Sequence, residues 1–442
     1  MGSRRAPALV AVVAAVTIAL ARCTTDGLDD YARGYDAGPQ DAAPDVAADA
    51  PPADGGNPCD CGLGQACVHR ACETCAPTWS LDFPSVAAND HAFDVPSAMM
   101  YVAGSRSVGD AGATTGWLGV IDECTGKLER ALDAPAVGGA TLQGMNNPGL
   151  AGGKLYVRLY APAPSAGGYA RFDLTTQAFD LAIPTLPSLS QGNDETWMMA
   201  TSASGNVWWS GDLNWSPGPP SAAVGKASAA GVCWKGYPSP NGSGRALAID
   251  GPDVYVAAAS ASVVIHHFDD AACAPPACAC APTWSSPALT INGRSMGAMR
   301  LRVVGTKLYA LGWSFVDDMG SSWEGFVATL DLVTHTWNQP FTWDPTPRID
   351  AFVAADVDAT YLYLSAAQGW DGITWVSATA KVVVLPRSFN GPTSVSVLDV
   401  PRLRVGWNLA LDRRGGFVLA GLSTDNGNDG RAIRCSLQTC PP

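Results

Sequence analysis

The sequence predicts an all-β fold assembled from repeated units, and three observations carry that reading. A short apolar–aromatic–apolar strand recurs seven times, the copies are evenly spaced, and the region that carries them shows no helical periodicity. The strands read MMYVAG, KLYVRL, NVWWSG, DVYVAA, KLYALG, YLYLSA and GFVLAG. Their aligned aromatics are Tyr101, Tyr156, Trp208, Tyr255, Tyr309 and Tyr363, with Val418 in the same slot of the seventh copy. The intervals are 55, 52, 47, 54, 54 and 55 residues.

Each unit supplies four strands. Before the aromatic strand lies an apolar stretch closed by Asp, Gly or Pro (AFDVPSA, LAIDGPD, AADVDAT, LALDRRGG), which is hairpin chemistry. After it come a variable loop, a third strand ending in Asp122, Asp173 or Asp331, and a fourth strand carrying Leu128, Phe179 or Trp337. A tandem of β-sandwiches would need units of about 100 residues. Seven shorter units of four strands predict a seven-bladed β-propeller over residues 76–442. The Asp-x-x-Thr-x-x-aromatic ending resembles kelch-type repeats, although the Gly-Gly pair of that family is absent. The resemblance implies architecture and no activity.

The pentapeptide CAPTW occurs at residues 75–79 and again at 280–284. The second copy leads into the outer strand of the fourth module, whereas the seventh module, ending RAIRCSLQTCPP, lacks an outer strand of its own. The first copy, continued as CAPTWSLDF, is expected to supply it, so that residues 77–83 close the ring and Trp79 matches Trp284. Closure of this kind leaves fewer exposed sheet edges to template aggregation.

Ahead of the propeller the chain divides into a signal peptide (1–22), an Asp/Ala/Pro-rich tether (23–57) and a Cys-rich module (58–75). Arg4 and Arg5 precede an Ala/Val-rich run from Ala8 to Ala21. That run is shorter than the roughly 20 apolar residues of a membrane span. Ala19-Leu20-Ala21 offers an ordinary cleavage site, while Leu20-Ala21-Arg22-Cys23 resembles a bacterial lipobox with Arg22 out of pattern. Cys23 is the expected lipidation site, since removing it leaves 12 of 13 cysteines, an even number for an oxidised compartment. The tether carries eight Asp against one Arg and so accounts for 7 of the 13 net negative charges. It is expected to be disordered. The run CDCGLGQACVHRACETC that follows it resembles the short Cys-rich modules of surface lipoproteins from myxobacterium-like bacteria.

Disulfides are expected throughout. Cys59, Cys61, Cys67 and Cys72 should pair among themselves, and Cys435 with Cys440. Cys273, Cys278 and Cys280 should be neighbours in the fourth module, and Cys75 should lie beside Cys435 and Cys440 in the seventh. Cys124 sits at the corresponding turn of the first module, and Cys233 near the end of the third strand of the third. Zinc is the rival reading of the N-terminal cluster, but two matched C-x-x-C knuckles are missing.

The long second-to-third loops share one face with the connections between modules. They concentrate Trp215, Trp313, Trp323 and Trp370 with Asp212, Asp317, Asp318, Asp371 and Asp425. Aromatic plates beside acceptors suit a sugar ligand. The alternative is that the Trp residues cap the blade cores and the Asp residues form turns. Arg245, Arg294, Arg348 and Arg404 lie at the starts of first strands, where they would rim the channel for an anionic ligand or pair with local carboxylates. No cofactor is expected. DNGNDG (425–430) leaves calcium open, but Gly427 stands where a ligand belongs. With no basic patch and few Lys, nucleic acid is a poor partner and none is expected.

The expectation is therefore an exported, envelope-anchored monomer that touches the membrane only through a lipid and binds a glycan or protein on its long-loop face without catalysis. Two alternatives stay open: a propeller enzyme (polysaccharide lyase, hydrolase or quinoprotein-like oxidoreductase), and a structural scaffold of an envelope complex.

Overall fold

The computed structural model describes residues 65–68, 71–94, 97–108, 113–135, 144–160, 168–184, 195–213, 221–228, 231–236, 243–271, 281–317, 322–371, 377–412, 415–425 and 429–441. The signal segment, Cys23, the tether, Cys59, Cys61, Cys273, Cys278 and Cys280 lie outside the described residues, and at Cys67, Cys72 and Cys233 only the backbone is described. The named elements are all β-strands.

The first module forms one antiparallel sheet of Val86–Asp94, Met99–Val108, Ala113–Asp122 and Lys127–Asp133, ordered as in the chain. The second runs from Gly144–Ala151 to Ala178–Pro184, the third from Glu195–Thr201 to Gly231–Gly236, and the fourth from Ser243–Asp250 to Trp284–Ser285. Modules five and six share a nine-stranded sheet, because one parallel bridge joins Trp323 to Ile349. Here the expected pattern of separate four-stranded sheets is modified. The outer strand of module five is broken into Thr336–Trp337 and Phe341–Trp343, and that of module four is two residues long.

The seventh sheet has the order Leu403–Leu411, Gly416–Ser423, Gly430–Ser436, Trp79–Phe83. Trp79 faces Arg434, Ser80 faces Ile433 and Phe83 faces Gly430. Trp284 stands opposite His267, which pairs with Tyr255, just as Arg434 pairs with Val418. The two copies of CAPTW thus place their Trp at one register. Both rings lie over the third-to-fourth turn of the next module: Trp284 stacks on His335 at 4.2 Å, and Trp79 covers Gly126. Gly126 has φ +72°, and a Cβ there would sit 2.5 Å from the Trp79 ring. Only glycine meets both demands.

Hairpin chemistry sets the turns. Ala151 and Lys154 are joined by Gly152-Gly153, both at positive φ, as a type I′ turn requires. The recurring Asp of the third strand caps its own turn. Asp122 Oδ1 accepts from the Thr125 N–H, Asp173 Oδ1 from Thr175 and Thr176, and Asp331 Oδ1 from Val333 and Thr334. The kelch-like motif is therefore turn formation in this chain.

The seven aligned residues of the second strands are all buried. Tyr101 reaches Phe172 of the next module and Trp208 reaches Phe268 of the next, so each aromatic fills the space between successive sheets. Burial of such a side chain stabilises by about 2–3 kcal/mol. First strands pack on first strands: each touches its successor, and Leu403–Leu411 of module seven touches Val86–Asp94 of module one.

Two disulfides are described. Cys435 pairs with Cys440 as expected. Cys75 does not stay beside them: it bonds Cys124, 49 residues on, in the third-to-fourth turn of module one. The outer strand of module seven abuts that turn, which brings the two thiols together and assigns Cys75 to the seam instead of the Cys-rich module. Of that module, Gln65–Val68 pairs with Ala71–Thr74, with Cys67 opposite Cys72.

Candidate functional site

The two ends of the molecule differ. One end carries the first-to-second turns and the third-to-fourth connections, which are four residues long in modules one, two and five and longer in modules four and six. The other is formed by the ends of the second strands, the starts of the third strands and the entries to the first strands.

The long-loop end rests on buried aromatics. Trp313, Trp323 and Trp370 are 6%, 1% and 1% exposed, so none offers the free stacking face expected of a sugar site. Trp313 and Trp323 stack at 4.3 Å, Phe315 lies 5.2 Å from Trp313, and Trp370 meets Trp323 edge-on at 5.6 Å. The strands run further than the sequence reading allowed, to Phe315 and Trp370 and from Trp323, and this draws the three rings into the core. They join a cluster that includes Met299, Val353 and Trp407.

The polar candidates are spread over this end. Arg348 and Asp371 are exposed, Arg294 and Asp317 half-buried. Arg404 is buried, its Nη2 donating to the Thr424 carbonyl at 3.5 Å, so it does not rim the channel as a free cation. Trp215 and Asp318 lie outside the described residues. Asp212 and Arg245 are described by backbone only: Asp212 pairs with Glu195, and Arg245 occupies a bulge between Gly244 and Ala246. Asp425, the first carboxylate of the calcium-like loop, is held by Arg402 and Arg431. Two guanidiniums on the oxygen a cation would use first weigh against calcium there.

Sequence reasoning missed Asp350. It is fully buried at the entry to module six and accepts from Thr346 N at 3.1 Å, from Thr346 Oγ1 and from Gly369 N at 2.9 Å. Burial, the largest influence, pushes its pKa up to about 6 against these hydrogen bonds. Asp350 fastens the incoming segment to the strand that ends at Trp370.

The polar hub at the first strands was also missed. Bulges in these strands interrupt the pairing at Ala88/Asp90, Ala298/Arg300 and Gly406/Asn408. Residue 90 of module one, 300 of module five and 408 of module seven therefore occupy one level, each just past its bulge. Arg300 Nη2 lies 4.0 Å from Asp90 Oδ2 and donates to the Trp407 carbonyl at 3.3 Å. Asn408 Nδ2 donates to the His91 carbonyl at 2.7 Å. Asp90 and His91 have no exposed surface, and Arg300 and Asn408 almost none. The available signal was a polar residue inside an apolar first strand, as in VAANDHAF, GAMRLRVV and VGWNLAL.

At the outer rim, His267 bridges Asp253 (2.7 Å) and the Thr283 hydroxyl, and stacks on Trp284. The chain hydroxyl–imidazole–carboxylate fastens the short outer strand of module four, and it lies away from the long-loop end. Among the described residues no group of three or more His, Cys, Asp or Glu is placed to hold a metal ion.

These sheets, wound in chain order and packed through their first strands, define a β-propeller. No family model and no curated protein matches the chain. Solved structures with partial likeness include YCF48 bound to D1 peptide (12% identity, 82% of this chain and 96% of that one, TM-score 0.48). Others are BamB from Moraxella catarrhalis (13%, 82% and 99%, TM-score 0.41) and the β-propeller domain of the Trilobed protease from Pyrococcus furiosus (8%, 80% and 94%, TM-score 0.44).

Proposed function

We propose that the chain is an exported, lipid-anchored, seven-bladed β-propeller, its ring closed by Trp79–Phe83, that binds a protein ligand on its long-loop face without catalysing a reaction. The ring reading is supported by the seven-fold sequence repeat and by the contact of the last first strand with the first. The binding reading is carried by a difference between the ends: the four-residue turns of modules two and five satisfy their own hydrogen bonds, while the opposite end displays Arg348 and Asp371 beside a braced aromatic floor. Exposed charge over a rigid base suits a polar peptide surface. Burial of Trp313, Trp323 and Trp370 turns the reading away from a glycan stacked on those rings.

The test places a photo-reactive residue at Arg348 and, as control, at Val333, which is 74% exposed in a turn at the other end. Irradiation of the intact envelope should give a discrete protein adduct from position 348 and none from 333. Adducts from 333 alone, or thermal stabilisation by saccharides and no protein adduct, would refute the reading.

A further inference from the structure

We propose that the hub, where the first strands of modules one, two, five and seven meet, is a sealed binding site for ordered water, and that bridging water completes the hydrogen bonding that joins these modules at the axis. The inference goes beyond the ligand-binding reading and does not rest on it.

The carrying observation is a set of buried polar atoms without hydrogen-bond partners. Both ring nitrogens of His91 are in this state, as are Asp90 Oδ2 and Asn147 Oδ1. All three residues have no exposed surface. A neutral imidazole always presents one donor and one acceptor, so His91 asks for two partners of opposite kind. Such groups in folded proteins nearly always bond to protein or to internal water, and a buried water needs two to four polar partners.

The direct bonds around these atoms are already spent. Asp90 Oδ1 accepts from the His91 N–H at 2.6 Å, Asn408 holds the His91 carbonyl, and Asn147 Nδ2 lies 3.7 Å from Met198 Sδ. Asn147 keeps φ at +47°, a left-handed conformation that Asn tolerates better than most residues. The apolar side chains of Met299, Val353 and Trp407, all from first strands, belong to the neighbouring core cluster.

The register sorts the orphaned atoms into two places. Asp90 pairs with Ala103, which packs with residues of module two, whereas His91 pairs with Val102, which packs with residues of module seven. Adjacent residues on a strand project to opposite faces. One water therefore cannot serve both, and the hub holds at least two positions: one at Asp90 Oδ2, the other against the His91 ring. A metal cation is the rival occupant of the first, but the Arg300 guanidinium 4.0 Å from the same oxygen repels it. Water can donate to or accept from both the carboxyl oxygen and the imidazole.

The first measurement is a crystal structure of the unmodified chain at a resolution that orders water. It should show one water within hydrogen-bond distance of Asp90 Oδ2 and another on a His91 ring nitrogen. Direct protein bonds to those atoms, or an ion in the first position, would overturn the proposal. The second is oxygen-17 magnetic relaxation dispersion on the wild type and on His91→Phe, whose ring fills the histidine side without polar atoms. The variant should lose at least one long-lived water and keep the rest. An unchanged number of long-lived waters would overturn the proposal, and if the variant fails to fold, the wild-type structure decides alone.

Discussion

Arg434 donates from Nε to Glu123 Oε1 at 2.9 Å, across 311 residues of chain and from module seven to module one. Its Nη2 lies 2.8 Å from Asp412 Oδ2, and the Pro77 carbonyl takes a further hydrogen bond from Nη1. Arg434, Glu123 and Asp412 are 3%, 2% and 1% exposed on their side chains. Such a group is fragile to loss of one member. Arg434→Ala strands two carboxylates in the interior and should cost about 3–5 kcal/mol, read as the fall in the urea unfolding free energy. A loss below about 1 kcal/mol would mean that the seam is held by other contacts.

The Cys75–Cys124 disulfide anchors the same seam covalently and closes a loop of 49 residues. Loop-closure entropy puts its contribution at about 4 kcal/mol, and that of a loop as short as Cys435–Cys440 at about half as much. Cys75→Ser with Cys124→Ser should therefore lower the thermal midpoint more than Cys435→Ser with Cys440→Ser. Differential scanning calorimetry of the two double variants checks the order.

The hub predicts an unusual pH dependence. Burial raises the Asp90 pKa to about 7, against the pull of Arg300 and two hydrogen bonds, while burial and then Arg300 lower that of His91 to about 3. Between about pH 4 and 6.5 the unfolded chain carries a charged pair and the folded chain a neutral one, with equal numbers of bound protons. The pair then contributes no slope. Removing one member exposes the other. In His91→Phe the raised Asp90 contributes stability at low pH that is lost as pH rises towards 7. In Asp90→Asn the depressed His91 contributes stability above 6.5 that is lost as pH falls towards 3. Urea unfolding free energies should follow slopes of opposite sign relative to wild type, each about 1.4 kcal/mol per pH unit. Parallel slopes in the three proteins would contradict the assignment.

Trp323 separates structure from binding. As a 1% exposed ring between Trp313 and Trp370, its replacement by Ala should cost about 3–5 kcal/mol. Arg348→Ala, on an exposed side chain, should leave stability within about 0.5 kcal/mol and reduce ligand capture. Chemical denaturation of both variants, beside the crosslinking yield, distinguishes a supporting floor from a contact surface.

The repeat and the seam were legible in the sequence because both depend on local pattern. Aromatics at a constant phase announce second strands, and CAPTW announces an outer strand that Trp79 and Trp284 occupy at one register. The Cys75 partner was not legible: it depends on which turn the outer strand of module seven abuts, a relation between distant segments. Trp313, Trp323 and Trp370 were assigned to loops because polar and Gly-rich neighbours mask the last turns of pairing, whereas a ladder continues as long as backbone partners face each other. Asp90, Arg300 and Asn408 were read past for a related reason. A bulge shifts the phase of a strand by one residue, so alternation alone cannot tell that all three sit at the axis.

Native-state hydrogen exchange at the seam tests the central claim most directly, because it asks whether residues 79–83 are bonded to the far end of the chain. If Trp79–Phe83 completes the sheet of Gly430–Ser436, the ladder amides of both strands should exchange only through global unfolding, with matching protection and a common denaturant dependence. Amides of residues 79–83 exchanging at the rate of an unpaired chain, while those of residues 430–436 stay protected, would contradict it.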